Sequence, residues 1–71
     1  MKTAYELLLT APDGQVTRSQ LAFKAIADGR WIDASYTLRN AAREESGEWA
    51  NDALELAGHC EQVALFVPDS Q

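Results

Sequence analysis

The sequence predicts an all-α fold, a small bundle of three to four helices in a single domain, and three observations carry that expectation. Apolar residues recur at three- and four-residue intervals, as they do on helices with one buried stripe. Thr3 stands three residues before Glu6 and Thr17 three before Gln20, the spacing of a capping box that starts a helix. Helix breakers then punctuate the chain at "APDG", at Gly29, at "ESG" and at Pro68.

The first helix is expected over about residues 4–10. It follows the Thr3 cap and stops before Pro12, which disfavours helix in the residue ahead of it. "YELLLT" is also short enough to form a strand. A second helix over about 18–27 begins behind Thr17, places Leu21, Ala22, Ala25 and Ile26 on one face, and ends at Gly29. The third, over about 31–45, sets Trp31, Ala34, Leu38, Ala41 and Ala42 inward, and its polar side carries Ser35, Arg39, Asn40 and Arg43. The fourth, over about 48–66, carries the stripe Trp49, Ala53, Leu56, Cys60, Val63 and Val67, with Glu48 in the first turn where the helix dipole favours an acid. "QVALFV" has the β-branched content of a strand, but the stripe runs unbroken through Val63 and favours helix. Residues 67–71 are expected to be a disordered tail.

At 71 residues the chain has room for one core, and a core of this size rarely supplies more than about 3–5 kcal/mol without a staple or a partner. The lone Cys60 forms no internal disulfide, so further stability has to come from tight helix packing or from association, with a second copy or with another protein. A single thiol fits a reducing compartment, and a cytoplasmic location is expected. No stretch approaches the ~18–20 apolar residues of a membrane span, and the N-terminus lacks the pattern of a secretory leader.

The net charge of −5 is unevenly distributed. Residues 1–43 hold all six Lys and Arg against four acids, whereas from Glu44 onward there are seven acids and no Lys or Arg. On the fourth helix Glu48, Asp52, Glu55 and Glu61 form the candidate protein-binding surface, suited to a basic partner. Ser35, Arg39, Asn40 and Arg43 form the alternative, a nucleic-acid-reading face, since Arg and Asn pair bidentately with guanine and adenine edges. Each group also reads as an ordinary solvated helix face.

Two stretches look alike, "GRWIDA" from residue 29 and "GEWANDA" from residue 47, eighteen residues apart. Both glycines are expected to end the preceding helix, and both tryptophans to anchor the start of the next one to the core.

Residues 18–45 resemble a single tetratricopeptide repeat. The pair Leu21–Ala22, then Gly29, Trp31 and Ala34 across the turn, then Leu38 and Ala41, stand in register with that family's pattern, although Ala25 replaces its usual aromatic and Ser46 its closing proline. The resemblance implies a helical hairpin that binds peptide or protein. A second resemblance covers the same residues: "PDGQVTRSQL" followed by "RWIDASYTLR" is similar to the winged-helix DNA-binding domain of response regulators. It implies a support helix over residues 18–27 and a recognition surface at Ser35, Arg39, Asn40 and Arg43, but the connection is shorter than in that family and no hairpin wing follows.

Chemistry is poorly represented. Asp52, Glu55 and His59 share a helix face with Cys60 nearby, but a metal site needs three or four converging ligands with supporting partners. There is no glycine-rich phosphate loop and no nucleophile in a recognisable setting. No catalytic residue, metal or cofactor is therefore expected. The expected function is binding of a protein partner, as an adaptor or as an inhibitor of a basic, nucleic-acid-binding target; the alternative is helix-turn-helix DNA binding.

Overall fold

The computed structural model describes residues 1–67 and contains four α-helices and no strand among them. They are α1 (Ala4–Leu9), α2 (Val16–Ala27), α3 (Trp31–Arg43) and α4 (Glu48–Phe66), with one 3₁₀ turn, Asp13–Gln15, leading into α2. The all-α expectation holds. Each helix packs on the next, most extensively α3 on α4, and α1 closes the arrangement by reaching across to α4.

The start of α1 is the capping box read from the sequence: the Glu6 N–H donates to Thr3 Oγ1 at 3.2 Å, and the Thr3 N–H donates to Glu6 Oε1 at 3.1 Å. Glu6 sits below the ordinary carboxylate range because the Thr3 backbone and hydroxyl groups hydrogen-bond to its charged form. Paired in this way, "YELLLT" winds as helix and not as strand. The second capping box does not form. Asp13–Gln15 already wind into a 3₁₀ turn, so α2 begins at Val16, with Gln15 at its N-cap and no side-chain cap. Thr17 is the second residue of α2, past the position from which a side chain caps the helix.

Gln15 has a structural role that its residue type does not advertise. It is 1% exposed, yet its amide is paired at both ends: Nε2 donates to Glu44 Oε1 and to Glu45 Oε2, and Oε1 accepts from Arg18 Nη1. Arg18 also donates to Glu44 at 2.9 Å. This knot ties the start of α2 to the turn between α3 and α4, and the carboxylates supply the pairing that lets an amide be buried.

The core is made largely of alanine. Of thirteen buried apolar residues among those described, nine are alanines and only Leu7, Leu38 and Leu56 are large aliphatics, with Cys60 completing the set. Small side chains let α3 and α4 approach closely. An alanine methyl, however, contributes only about 0.8 kcal/mol when buried, against roughly 1.5–3 kcal/mol for a leucine. The stripe predicted for α4 is buried through Cys60, half-buried at Val63 and exposed at Val67. That difference follows from length: α4 has 19 residues and α3 has 13, so α4 outruns its neighbour by about 9 Å. The strand alternative for "QVALFV" is excluded as far as Phe66, where α4 ends. Of the expected tail, Val67 is extended, and residues 68–71 lie outside the described residues.

Candidate functional site

The acidic residues of α4 fall on two different flanks. Glu48, Asp52 and Glu55 follow one another at four- and three-residue spacing and lie on the flank nearest α1, with Glu48 and Glu55 exposed and Asp52 half-buried. Glu61 is six residues beyond Glu55, roughly 240° further round the helix, and faces α3. There it receives both ends of the Arg39 guanidinium, Nε to Oε2 at 2.8 Å and Nη2 to Oε1 at 2.6 Å. The Arg39 hydrogen bonds, and then its charge, hold Glu61 below the usual carboxylate range. Expected as part of one acidic surface with the other three, Glu61 is instead committed to an α3–α4 tie.

Glu48 and Asp52 line one of two clefts beside α4, and Glu55 lines neither. One, of about 240 Å³, is lined by Lys2, Thr10, Glu48, Trp49 and Asp52. The other, of about 230 Å³, brings together residues from the start of the chain and from α2, α3 and α4: Ile26, Trp31 and Leu56 form its apolar wall, with Lys2, Thr3, Met1, Ala4 and His59 around it. Lys2 lines both clefts. Glu55 lies 3.8 Å from the N-terminal amine. Each cleft thus contains one of the two tryptophans, both half-buried. Trp49 is also structural, since its indole N–H donates to the Leu7 carbonyl at 3.1 Å and satisfies one of the acceptors that a helix end leaves open.

The basic face of α3 is not assembled as the sequence suggested. Ser35 is buried, and its hydroxyl donates to the Ile32 carbonyl at 2.9 Å, the packed side of the helix having claimed it. Arg39 is engaged by Glu61. Asn40 and Arg43 are exposed, and Arg43 has no ion-pair partner among the described residues. Of the four residues grouped by sequence, Asn40 and Arg43 are exposed, Arg39 is half-buried and shared with Glu61, and Ser35 is buried.

No group of three His, Cys, Asp or Glu residues among the described residues is arranged to hold a metal ion. Cys60 is completely buried, whereas His59 beside it in sequence points outward. Burial, followed by the nearby charge of Glu61, pushes the Cys60 thiol up to about 11. The site therefore lacks a ready thiolate nucleophile.

Sequence reasoning missed the large apolar side chains left outside. Leu65 and Phe66 are 80% and 83% exposed on the overhanging end of α4, and Tyr5 and Phe23 meet on the α1–α2 surface with ring centroids 6.1 Å apart. Leu21 and Tyr36 border a further groove between α2 and α3. The signal was present for α4, because Leu54 and Leu65 lie off the buried stripe at helical spacing. Among the described residues no helix is long and apolar enough to cross a membrane. Comparison with protein-family models, curated protein sequences and solved structures finds no match to this chain.

Proposed function

We propose that the chain works by binding a protein partner, as an adaptor or an inhibitor, and that it is not an enzyme. The observation that carries this reading is the distribution of bulk. Among the described residues twelve large apolar side chains are exposed, while the interior is filled mainly by alanine. Exposed apolar patches mark interaction surfaces, and burying such side chains is the main source of association energy. The acidic flank of α4 then favours a basic partner, such as a nucleic-acid-binding protein whose function is blocked when its basic surface is covered. Complementary charge chiefly raises the association rate and sets specificity. The free thiol fits action in a reducing cytoplasm.

DNA binding is the weaker reading, because Ser35 faces inward, Arg39 is neutralised by Glu61 and α4 adds negative charge beside them. Phosphate contacts supply most of the affinity for duplex, and this surface offers few. The test is a pull-down with the purified protein, with and without nuclease, together with duplex binding at low salt. One protein partner retained after nuclease treatment is the expected result. Capture that disappears with nuclease, accompanied by measurable duplex affinity, would overturn it.

A further inference from the structure

Building on the protein-binding reading, we infer that the two clefts beside α4 together form the docking groove, and that it receives a partner helix carrying a basic and an apolar side chain two turns apart. Charge complementarity identifies the first contact. Glu48 and Asp52 border the Trp49 cleft, and Glu55 continues the acidic flank toward the second cleft. Among the described residues Lys2 is the one Lys or Arg lining either cleft, so a basic side chain entering beside Trp49 meets two carboxylates, Glu48 and Asp52, next to an indole ring, the aromatic group that attracts cations best. The second contact is the wall formed by Ile26, Trp31 and Leu56, which suits a Leu, Ile, Met or Phe side chain.

Spacing and backbone chemistry select a helix as the occupant. The α4 residues of the two clefts, Glu48 to Asp52 and Leu56 to His59, are centred about seven residues apart, or about 11 Å along the axis, the length of two helical turns. The described residues contain no strand edge that could pair with the backbone of an extended peptide, so such a peptide would have to leave its N–H and C=O groups to water. A helix brings its backbone already paired and needs only side-chain contacts.

The experiment selects a displayed library of randomised helical peptides against the immobilised chain. The best binder is then titrated into isotopically labelled protein while the two indole N–H resonances are followed. Enriched sequences are expected to place Lys or Arg seven residues from a large apolar residue, in a single orientation, and binding is expected to shift both the Trp31 and the Trp49 resonances. The double substitution Glu48→Lys/Asp52→Lys, checked for native helicity, is expected to weaken the binder by about tenfold or more, and Arg43→Glu, on another face, to leave it unchanged. Binders that leave both indole resonances in place overturn the groove but leave the protein-binding reading intact. Binders indifferent to the double substitution overturn the basic contact, and a selection that yields no binder counts against both readings.

Discussion

The two glycine–tryptophan junctions have nearly the same sequence and use it in opposite ways. Between α2 and α3, Gly29 ends a helix. Its φ of 76° places it in the left-handed region, its N–H donates to the Ile26 carbonyl, and the Arg30 N–H reaches back to Ala25 at 2.8 Å. Those two bonds are the paired closure of a Schellman cap. Between α3 and α4, helix α3 has already finished before Gly47 is reached, closed by Glu44 and Glu45 N–H groups on the Ala41 and Ala42 carbonyls. Gly47 instead opens α4. It is the N-cap, at φ 87° and ψ −158°, and its carbonyl accepts the first helical bond from Asn51. The expectation that both glycines stop the preceding helix is therefore correct for Gly29 and wrong for Gly47. Similar residues record a shared need for positive φ, and the backbone hydrogen bonds decide which helix benefits.

The tryptophans differ less. Both tryptophans line a cleft and pack against the core, Trp31 as the first residue of α3 and Trp49 as the second of α4, and the Trp49 indole reaches across to hold the end of α1. Substitution can separate these roles. The largest effect is expected at Gly47, whose backbone conformation is open essentially to glycine alone. Gly47→Ala should cost about 1–3 kcal/mol, and Gly47→Asn a similar amount. Added bulk is not the cause, since a Cβ there would meet nothing within 4 Å. Thermal or urea unfolding measures the loss, and a variant as stable as the parent would mean that the α3–α4 turn can relax to negative φ.

Next comes Trp49→Phe, which keeps the ring but orphans the Leu7 carbonyl. A loss of about 1 kcal/mol is expected, with faster amide exchange confined to α1. Gly29→Asn should cost less than about 1 kcal/mol, because asparagine tolerates the left-handed region that ends α2. If the Gly29 and Gly47 asparagine variants unfold at the same denaturant concentration, the distinction between the two junctions fails.

The last prediction concerns acid. Hydrogen bonds from Arg18 and then Gln15, and then the Arg18 charge, hold Glu44 below its ordinary range, and Arg39 does the same for Glu61. A carboxylate whose pKa is lowered by folding stabilises the native state above its unfolded value of about 4.3, and that contribution disappears as pH falls through the lower folded value. Unfolding midpoints should therefore fall on acidification below the carboxylate range. Glu44→Gln should show a shallower decline, with its remaining loss coming from the Glu61 tie and the Glu6 capping box. A parallel decline in both proteins would show that the Gln15 knot adds nothing to the acid response.

Helix type and most boundaries were legible because each rests on a local signal: the Thr3 box for α1, Gly29 for the end of α2, and an unbroken stripe for α4. The acidic flank at Glu48, Asp52 and Glu55 could be read in the same way, since helical spacing alone places those residues together. What escaped depended on partners distant in sequence. Ser35 belongs to a polar series by spacing, and only the packing of α3 turns it inward. Glu61 and Arg39 are 22 residues apart, and Gln15 finds its carboxylates some thirty residues later. The overhang of α4 was invisible because exposure at Leu65 and Phe66 depends on where α3 begins.

The alanine interior has a consequence for how this fold can vary. A core filled with large side chains is defined by the bulk it requires, but this one is defined by where bulk is forbidden, at positions such as Ala34, Ala53 and Ala57, each 0% exposed. Enlarging any of them would push two backbones apart. The large residues, by contrast, stand mostly outside and can be exchanged without disturbing the interior. Descendants of this chain can rewrite that outer layer, and their common origin would survive as a spacing of alanines.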